Sequence, residues 1–289
     1  DLAAEARYAS VETQLSKLPS TLVLSLALIG SNVASQQTVA PKGSEPYQYA
    51  DLADLALAAP VTAHVKVRDA RRLDKELAAG VKAGFVRQLV TADVIALIKS
   101  SDGVPQRVQY LVDTPVDSRG KTQKLKKSES LLFAVAAGPG QLRLIAPDAH
   151  IPWSNPAAQT VRAILSEAAR ADAPPAIRGI SSAFHSAGSI PGEGETQIFL
   201  ASPENKPLSL TVQRRSGEQP QWFVSQGEVV DEGTSQPRPG SLLWYRIACT
   251  LPAKLPRAAV DGQDAETITA IETDYQVVLS GLGRCVRAR

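Results

Sequence analysis

Methionine is absent from the 289-residue chain, position 1 included. The expectation is a trimmed start or a reading frame opened upstream of the true one. Cysteine occurs only twice, as Cys249 and Cys285. That is too few, and too widely spaced, for a C-x-x-C redox pair or a cysteine-based zinc site. Histidine is almost as scarce, with three residues, His64, His150 and His185. Aromatic residues make up 5% of the chain, so Leu, Val, Ile and Ala must build most of the core. A bias of charge is also missing. The formal net charge is +2, too weak an electrostatic footprint for a nucleic-acid partner, and the aromatic–basic interleaving of single-strand binders is not there. The motifs of a serine-hydrolase elbow and of a phosphate-cradling P-loop are lacking too. The chain carries no motif for a metal or a cofactor.

What remains is ordinary globular material, 44% hydrophobic and 21% charged, which speaks against disorder as a global description. Near the start, Leu22 to Gly30 (LVLSLALIG) is a short apolar run preceded by Lys17 and followed by Val33 and Ser35 at the spacing of a small-residue cleavage site. Those are the three parts of a secretory signal. The run is shorter than the ~20 residues a membrane-spanning helix needs, and no later segment could span a membrane. Residues 1–35 are therefore expected to be a signal region, although residues 1–16 are an unusual preface to one. A buried helix or strand is the competing reading. Export puts the protein in the periplasm or outside the cell, where two lone cysteines pair. A Cys249–Cys285 bridge is expected to tie the last strand to the segment after the last helix.

Residues 36–60 are expected to form a linker and a short helix, Tyr49 to Ala59, stopped by Pro60. Residues 61–152 form a β-rich half. Val61, Ala63, Val65 and Val67 alternate onto one face, which puts His64 on the polar side. Arg68 to Ala79 is charged and expected to be helical or a long loop. Phe85 to Lys99 is a long strand, bent near Ala92-Asp93. Asp102-Gly103 is a turn, Gln106 to Val112 alternates again, and Ser130 to Ala137 and Gln141 to Ala146 flank the turn Gly138-Pro139-Gly140. Five strands in about 90 residues with short connections suggest a small barrel or curled antiparallel sheet.

Residues 153–289 are expected to be an α+β half. Asn155 caps a helix with Pro156 in its first turn. Strands over Gln197–Leu200, Leu208–Gln213, Trp222–Gln226 and Leu242–Thr250 form an antiparallel meander. Ala265 to Leu279 is a final helix stopped by Gly281 and Gly283. The fold class is α+β, strand-dominated, with two helices flanking the meander.

Three places could carry chemistry. The glycine-rich stretch Ser181 to Glu195 is expected to be a loop entering a strand, with His185, Ser186, Ser189, Glu193 and Glu195 offering a base, hydroxyls and carboxylates. A purely structural glycine loop is the plain alternative. The connection Asp113 to Lys127 carries Asp113 and Asp117 with Arg119, Lys124, Lys126 and Lys127 among its basic groups, suited to an anionic polymer if it is more than a solvated hairpin. Arg246, on the outer face of its strand with Trp244, could make a cation–π site or a structural ion pair. His150, beside Pro152 and Trp153, reads as packing.

Two functions compete. The first is an exported, non-catalytic envelope protein that binds a protein, glycan or other polymer. The second is a hydrolase that uses His185 with a nearby serine and Glu193 or Glu195.

Overall fold

The computed structural model describes residues 47–203, 206–226 and 236–289. The segment Leu22 to Ser35, read above as a signal region, and the linker up to Pro46 lie outside the described residues. The described residues all belong to one compact unit.

Strand alternation builds a closed barrel. β1 (Val61–Arg72), β2 (Phe85–Lys99), β3 (Arg107–Pro115), β4 (Glu129–Gly138) and β5 (Gln141–Leu144) lie in the order β1-β2-β3-β5-β4, and β1 pairs back onto β4 to close the ring. All pairings are antiparallel except β3 with β5. This is a five-stranded Greek-key barrel, the architecture of OB-type folds. β6 (His150–Pro152) extends the sheet beyond β4. The alternating residues Val61, Ala63, Val65 and Val67 fill the interior with Val90, Val108, Tyr110 and Leu132.

The charged stretch after Val67 begins as strand and not as helix or loop; only residues 73–79 form the expected loop, with a short 3-10 helix at Lys75–Leu77. β1 continues through it to Arg72, pairing with β2 as far as Gln88, past a register shift between Val67 and Asp69. The bend expected in β2 is absorbed by that shift and two more, at Thr62/Ala63 and His64/Val65; bulges of this kind curl a sheet into closure.

α1 (Tyr49–Ala58) and α2 (Asn155–Ala168) pack side by side over the outer residues Leu131, Phe133 and Ile151 of β4 and β6. The cap of α2 is Ser154, not Asn155. Its hydroxyl accepts from the Ala157 N–H at 3.2 Å, which places Asn155 and Pro156 inside the first turn.

The second sheet is an antiparallel meander in the order β10-β9-β8-β7, formed by β7 (Gly179–Ala187), β8 (Gly194–Ala201), β9 (Ser209–Arg214) and β10 (Gln221–Ser225). Its inner residues Ile198, Leu210, Val212, Trp222 and Val224 are covered by α3 (Leu242–Ala248) and α4 (Ala265–Leu282).

Residues 242–248 are a helix and not the expected strand. Ser241 caps it by accepting from the Trp244 N–H at 3.2 Å, and Leu242, Trp244 and Ile247 become its buried residues. The run LLWYRIA has β-forming residues, but packing against α4 and α1 decides its conformation. Helix α4 runs through Gly281 and is capped at Gly283.

Candidate functional site

The barrel closes unevenly. β3 and β5 meet at a single parallel bridge, Gln109 with Gln141, and the Gln109 N–H donates to the Gly140 carbonyl at 2.8 Å. Beyond that bridge the two strands part. The seam opens into a groove of about 760 Å³ on the outer face of β2, β3 and β5, lined among others by Arg87, Leu89, Gln109, Leu111, Gln141 and Arg143. Alternation explains the lining, because β3 turns Val108, Tyr110 and Val112 inward and its odd-numbered residues outward. Arg87 and Asp113 lie across the neighbouring strands as a two-pronged ion pair, Nε to Oδ1 and Nη2 to Oδ2 both at 2.8 Å. Asp113 holds the Arg87 guanidinium even more firmly charged than usual.

A second hollow of about 640 Å³ lies at the barrel mouth and shares Asp113 and Pro147 with the groove. His150 lines this hollow, and Tyr110 lines the groove from inside the barrel. Their ring centroids are 5.6 Å apart. Tyr110 is 2% exposed. Its hydroxyl and His150 Nε2 are both buried without a hydrogen-bond partner. Burial pushes the His150 pKa down to about 4. It pushes the Tyr110 phenol up.

The sequence candidates fall in four separate places. Asp113 is in the groove. The rest of its connection is a turned hairpin: Asp117 Oδ1 accepts from the backbone N–H groups of Arg119 and Lys121 at 2.9 and 2.8 Å. Lys126 reaches Asp69 at 3.6 Å, Arg119 and Lys124 are exposed, and Lys127 adopts a left-handed conformation with φ 72°.

Ser181 to Glu195 is two strands and a turn, not a loop. β7 and β8 pair across it, with His185 opposite Thr196 and Ser186 opposite Glu195. His185 Nδ1 lies 2.8 Å from Thr196 Oγ1, and the Thr196 hydroxyl donates to Asp274 on α4. Asp274 is fully buried and also takes Arg214 at 2.5 Å. The His185 ring lies close against Gly194, where a Cβ would fall 2.8 Å from His185 Cε1 and 3.0 Å from the Ser186 carbonyl oxygen, so a side chain there would force a shift. Glu195 accepts from Gln197 and Gln213. Glu193 accepts from the Ser216 N–H at 3.3 Å. Ser186 and Ser189 are exposed. The partners of His185 among the described residues are thus Thr196 and Asp274.

Trp244 and Arg246, two apart on a helix, do not share a face. Trp244 is buried and its indole N–H donates to the Leu282 carbonyl at 2.8 Å. A cation–π contact does exist elsewhere, with the Arg162 guanidinium 6.0 Å from the centre of the Trp153 ring. His64, expected on the polar side of its strand, is buried there. It is 7% exposed, stacks on Trp153 at 3.5 Å between centroids, and lies 2.9 Å from Glu129 Oε2.

Cys249 and Cys285 form the expected disulfide, with Cα atoms 5.1 Å apart. It joins the end of α3 to the segment after α4. That segment reaches back to α1: Arg287 pairs with Asp54 at 2.7 Å, and the Ala288 N–H donates to buried Asp51 at 3.0 Å.

Sequence reasoning missed Tyr110, Gln141 and Arg143 as site residues. The alternation in QRVQYLV does place Tyr110 among valines on the inner face, and a tyrosine there signals a hydroxyl in need of a partner.

Among the described residues no helix is long and apolar enough to cross a membrane, and no three His, Cys, Asp or Glu residues are grouped to hold a metal. No family model matches the chain, and no curated protein matches it.

Proposed function

We propose that this is an exported, non-catalytic protein that holds an envelope glycan in the groove over β2, β3 and β5. The observation that carries the reading is the parted β3–β5 seam, which leaves a groove of about 760 Å³ among amides, guanidinium groups and leucines. Amide and guanidinium side chains supply the directional donors and acceptors that sugar hydroxyls need. Leu111, 44% exposed, supplies apolar area beside them. Barrels of this type bind oligosaccharides or oligonucleotides on the same face, an analogy of fold alone. The small net charge argues for the former. A disulfide suits an oxidising compartment, and the sequence pattern of Leu22 to Ser35 supports export.

The alternative, a hydrolase built on His185, draws no support from the distances. It needs a serine within hydrogen-bond reach of the imidazole, and the partners found are a threonine and a buried aspartate.

Co-sedimentation with insoluble peptidoglycan and affinity electrophoresis through soluble envelope polysaccharides test the proposal. Retention on one of them should fall at least tenfold in the variant Gln109→Ala/Arg143→Ala, with an unchanged melting temperature. No retention on any of these polymers, or retention indifferent to that variant, refutes the glycan reading.

A further inference from the structure

The charged residues that line the groove are Arg87, Asp113 and Arg143. Arg87 and Asp113 neutralise each other in their two-pronged pair. Arg143 takes no part in it. It is exposed on β5 and makes no ion pair with any of the described residues. The groove therefore carries one uncompensated positive charge, set beside the amides of Gln109 and Gln141.

The surroundings have the same sign. Register places Arg71 of β1 opposite Leu89, and Leu89 opposite Leu111 of β3. Side chains directly opposite each other share a face of the sheet, so Arg71 continues the leucine row one strand beyond the groove's lining. Arg71 too is exposed and makes no ion pair among the described residues. The carboxylates of β1, β2 and β3 are all engaged. Asp113 holds Arg87, Asp93 takes both Arg68 and Arg107, and Asp69 takes Lys126 at 3.6 Å. An anion laid along this face meets cations in excess.

A guanidinium without a partner offers parallel N–H donors in a fork that fits a carboxylate. The amides beside it suit hydroxyls. A sugar that carries both groups is a uronic acid. A single-stranded nucleic acid, the other polyanion of this shape, depends on aromatic faces for its bases. The one aromatic residue lining the groove, Tyr110, is 2% exposed.

We propose that the polymer held in the groove is an acidic glycan, with a uronic-acid carboxylate paired to Arg143. This inference rests on the glycan reading above and narrows it. Arg143 reads the charge, whereas Gln109 reads hydroxyls that charged and neutral sugars share.

The test is affinity electrophoresis of the whole chain through polygalacturonate and through alginate, each beside its own ester, which lacks the charge. At least one acid polymer should be held about tenfold more tightly than its ester, as loss of a charge-assisted hydrogen bond predicts. Arg143→Gln should lower retention on the acid to that on the ester and leave the ester unaffected. Gln109→Ala should weaken both. Lys254→Gln, which removes an exposed cation elsewhere, should change neither. Equal retention on acid and ester overturns the acidic reading and leaves the glycan reading standing. A preference for the acid that survives Arg143→Gln overturns it too, as does oligothymidylate binding as tight as the better acid polymer. So does absence of retention on both acid polymers; the glycan reading then falls as well only if peptidoglycan and the other envelope polysaccharides are not held either.

Discussion

Gly281 lies directly against the indole of Trp222: a Cβ at position 281 would fall 2.2 Å from Trp222 Nε1. Helix α4 can approach β10 closely only because that side chain is missing. Two opposing effects bear on Gly281→Ala. Alanine gains about 1 kcal/mol in helix propensity, whereas overpacking a rigid contact costs about 1–3 kcal/mol. Gly281 is exposed but Trp222 is 5% exposed, so the indole has little room to yield and the clash prevails. Urea unfolding should show a net loss of up to about 2 kcal/mol. Trp222→Phe should couple with the change in a double-mutant cycle, relieving part of that loss.

Acid should weaken the fold through His150. Its folded pKa, about 4, lies below the ordinary 6.5, so the unfolded chain binds the proton more readily. Stability from this group is full above about pH 6.5 and is lost as pH falls towards 4. The limit of that loss is roughly 3 kcal/mol. His150→Gln should flatten the pH dependence of unfolding across this window, as read by denaturant midpoints at several pH values. An unchanged slope would remove His150 from the account.

Much of the barrel was legible in the sequence for a simple reason. β3 and the start of β1 alternate and β2 is rich in β-branched residues, and both are local signals that survive in any sheet. Helix α4 and the disulfide were legible on similar local grounds. The short helix at Leu242–Ala248 was not, because seven residues carry too little periodicity and tertiary contacts choose their state. The candidate site was legible least of all. Its seam depends on where β3 meets β5, a parallel pairing between residues far apart in the chain, and no local pattern encodes that. His185 drew attention as a reactive type in a glycine-rich stretch. Its glycines serve a turn and a close ring contact.

The buried Asp274 should be sensitive to loss of its charge. It takes Arg214 and Thr196 with no exposure to solvent. Asp274→Ala leaves the Arg214 guanidinium partly buried and without this partner. Arg214 keeps some access to water, with 29% of its side chain exposed, so about 2–3 kcal/mol is expected, below the range for a fully buried pair. Asp274→Ala/Arg214→Leu should recover part of it. Chemical denaturation of the three proteins checks the order. A single variant no less stable than the double one would contradict the pairing.

Removing the bridge should loosen the segment it anchors. Cys249 and Cys285 are 36 residues apart, and the chain-entropy model assigns such a loop about 4 kcal/mol. Cys249→Ser/Cys285→Ser should lower the melting temperature markedly. Cleavage by trypsin at Arg287 should rise as its contact with Asp54 is released. Intact mass should increase by about two hydrogens on reduction of the unmodified protein, since each bridge takes up two.

The single bridge between β3 and β5 also sets where the barrel breathes. Gln109 points its N–H across the seam, and Leu111 and Asp113, at the same parity, point theirs the same way, into the part of the seam that no further β3–β5 pairing closes. Tyr110 and Val112 turn theirs towards β2, where the ladder is continuous. Amide hydrogens of alternate residues along one strand should therefore exchange with solvent at two different rates. The barrel would open along this line first, like a cylinder slit on one side, while β1, paired on both edges, stays shut.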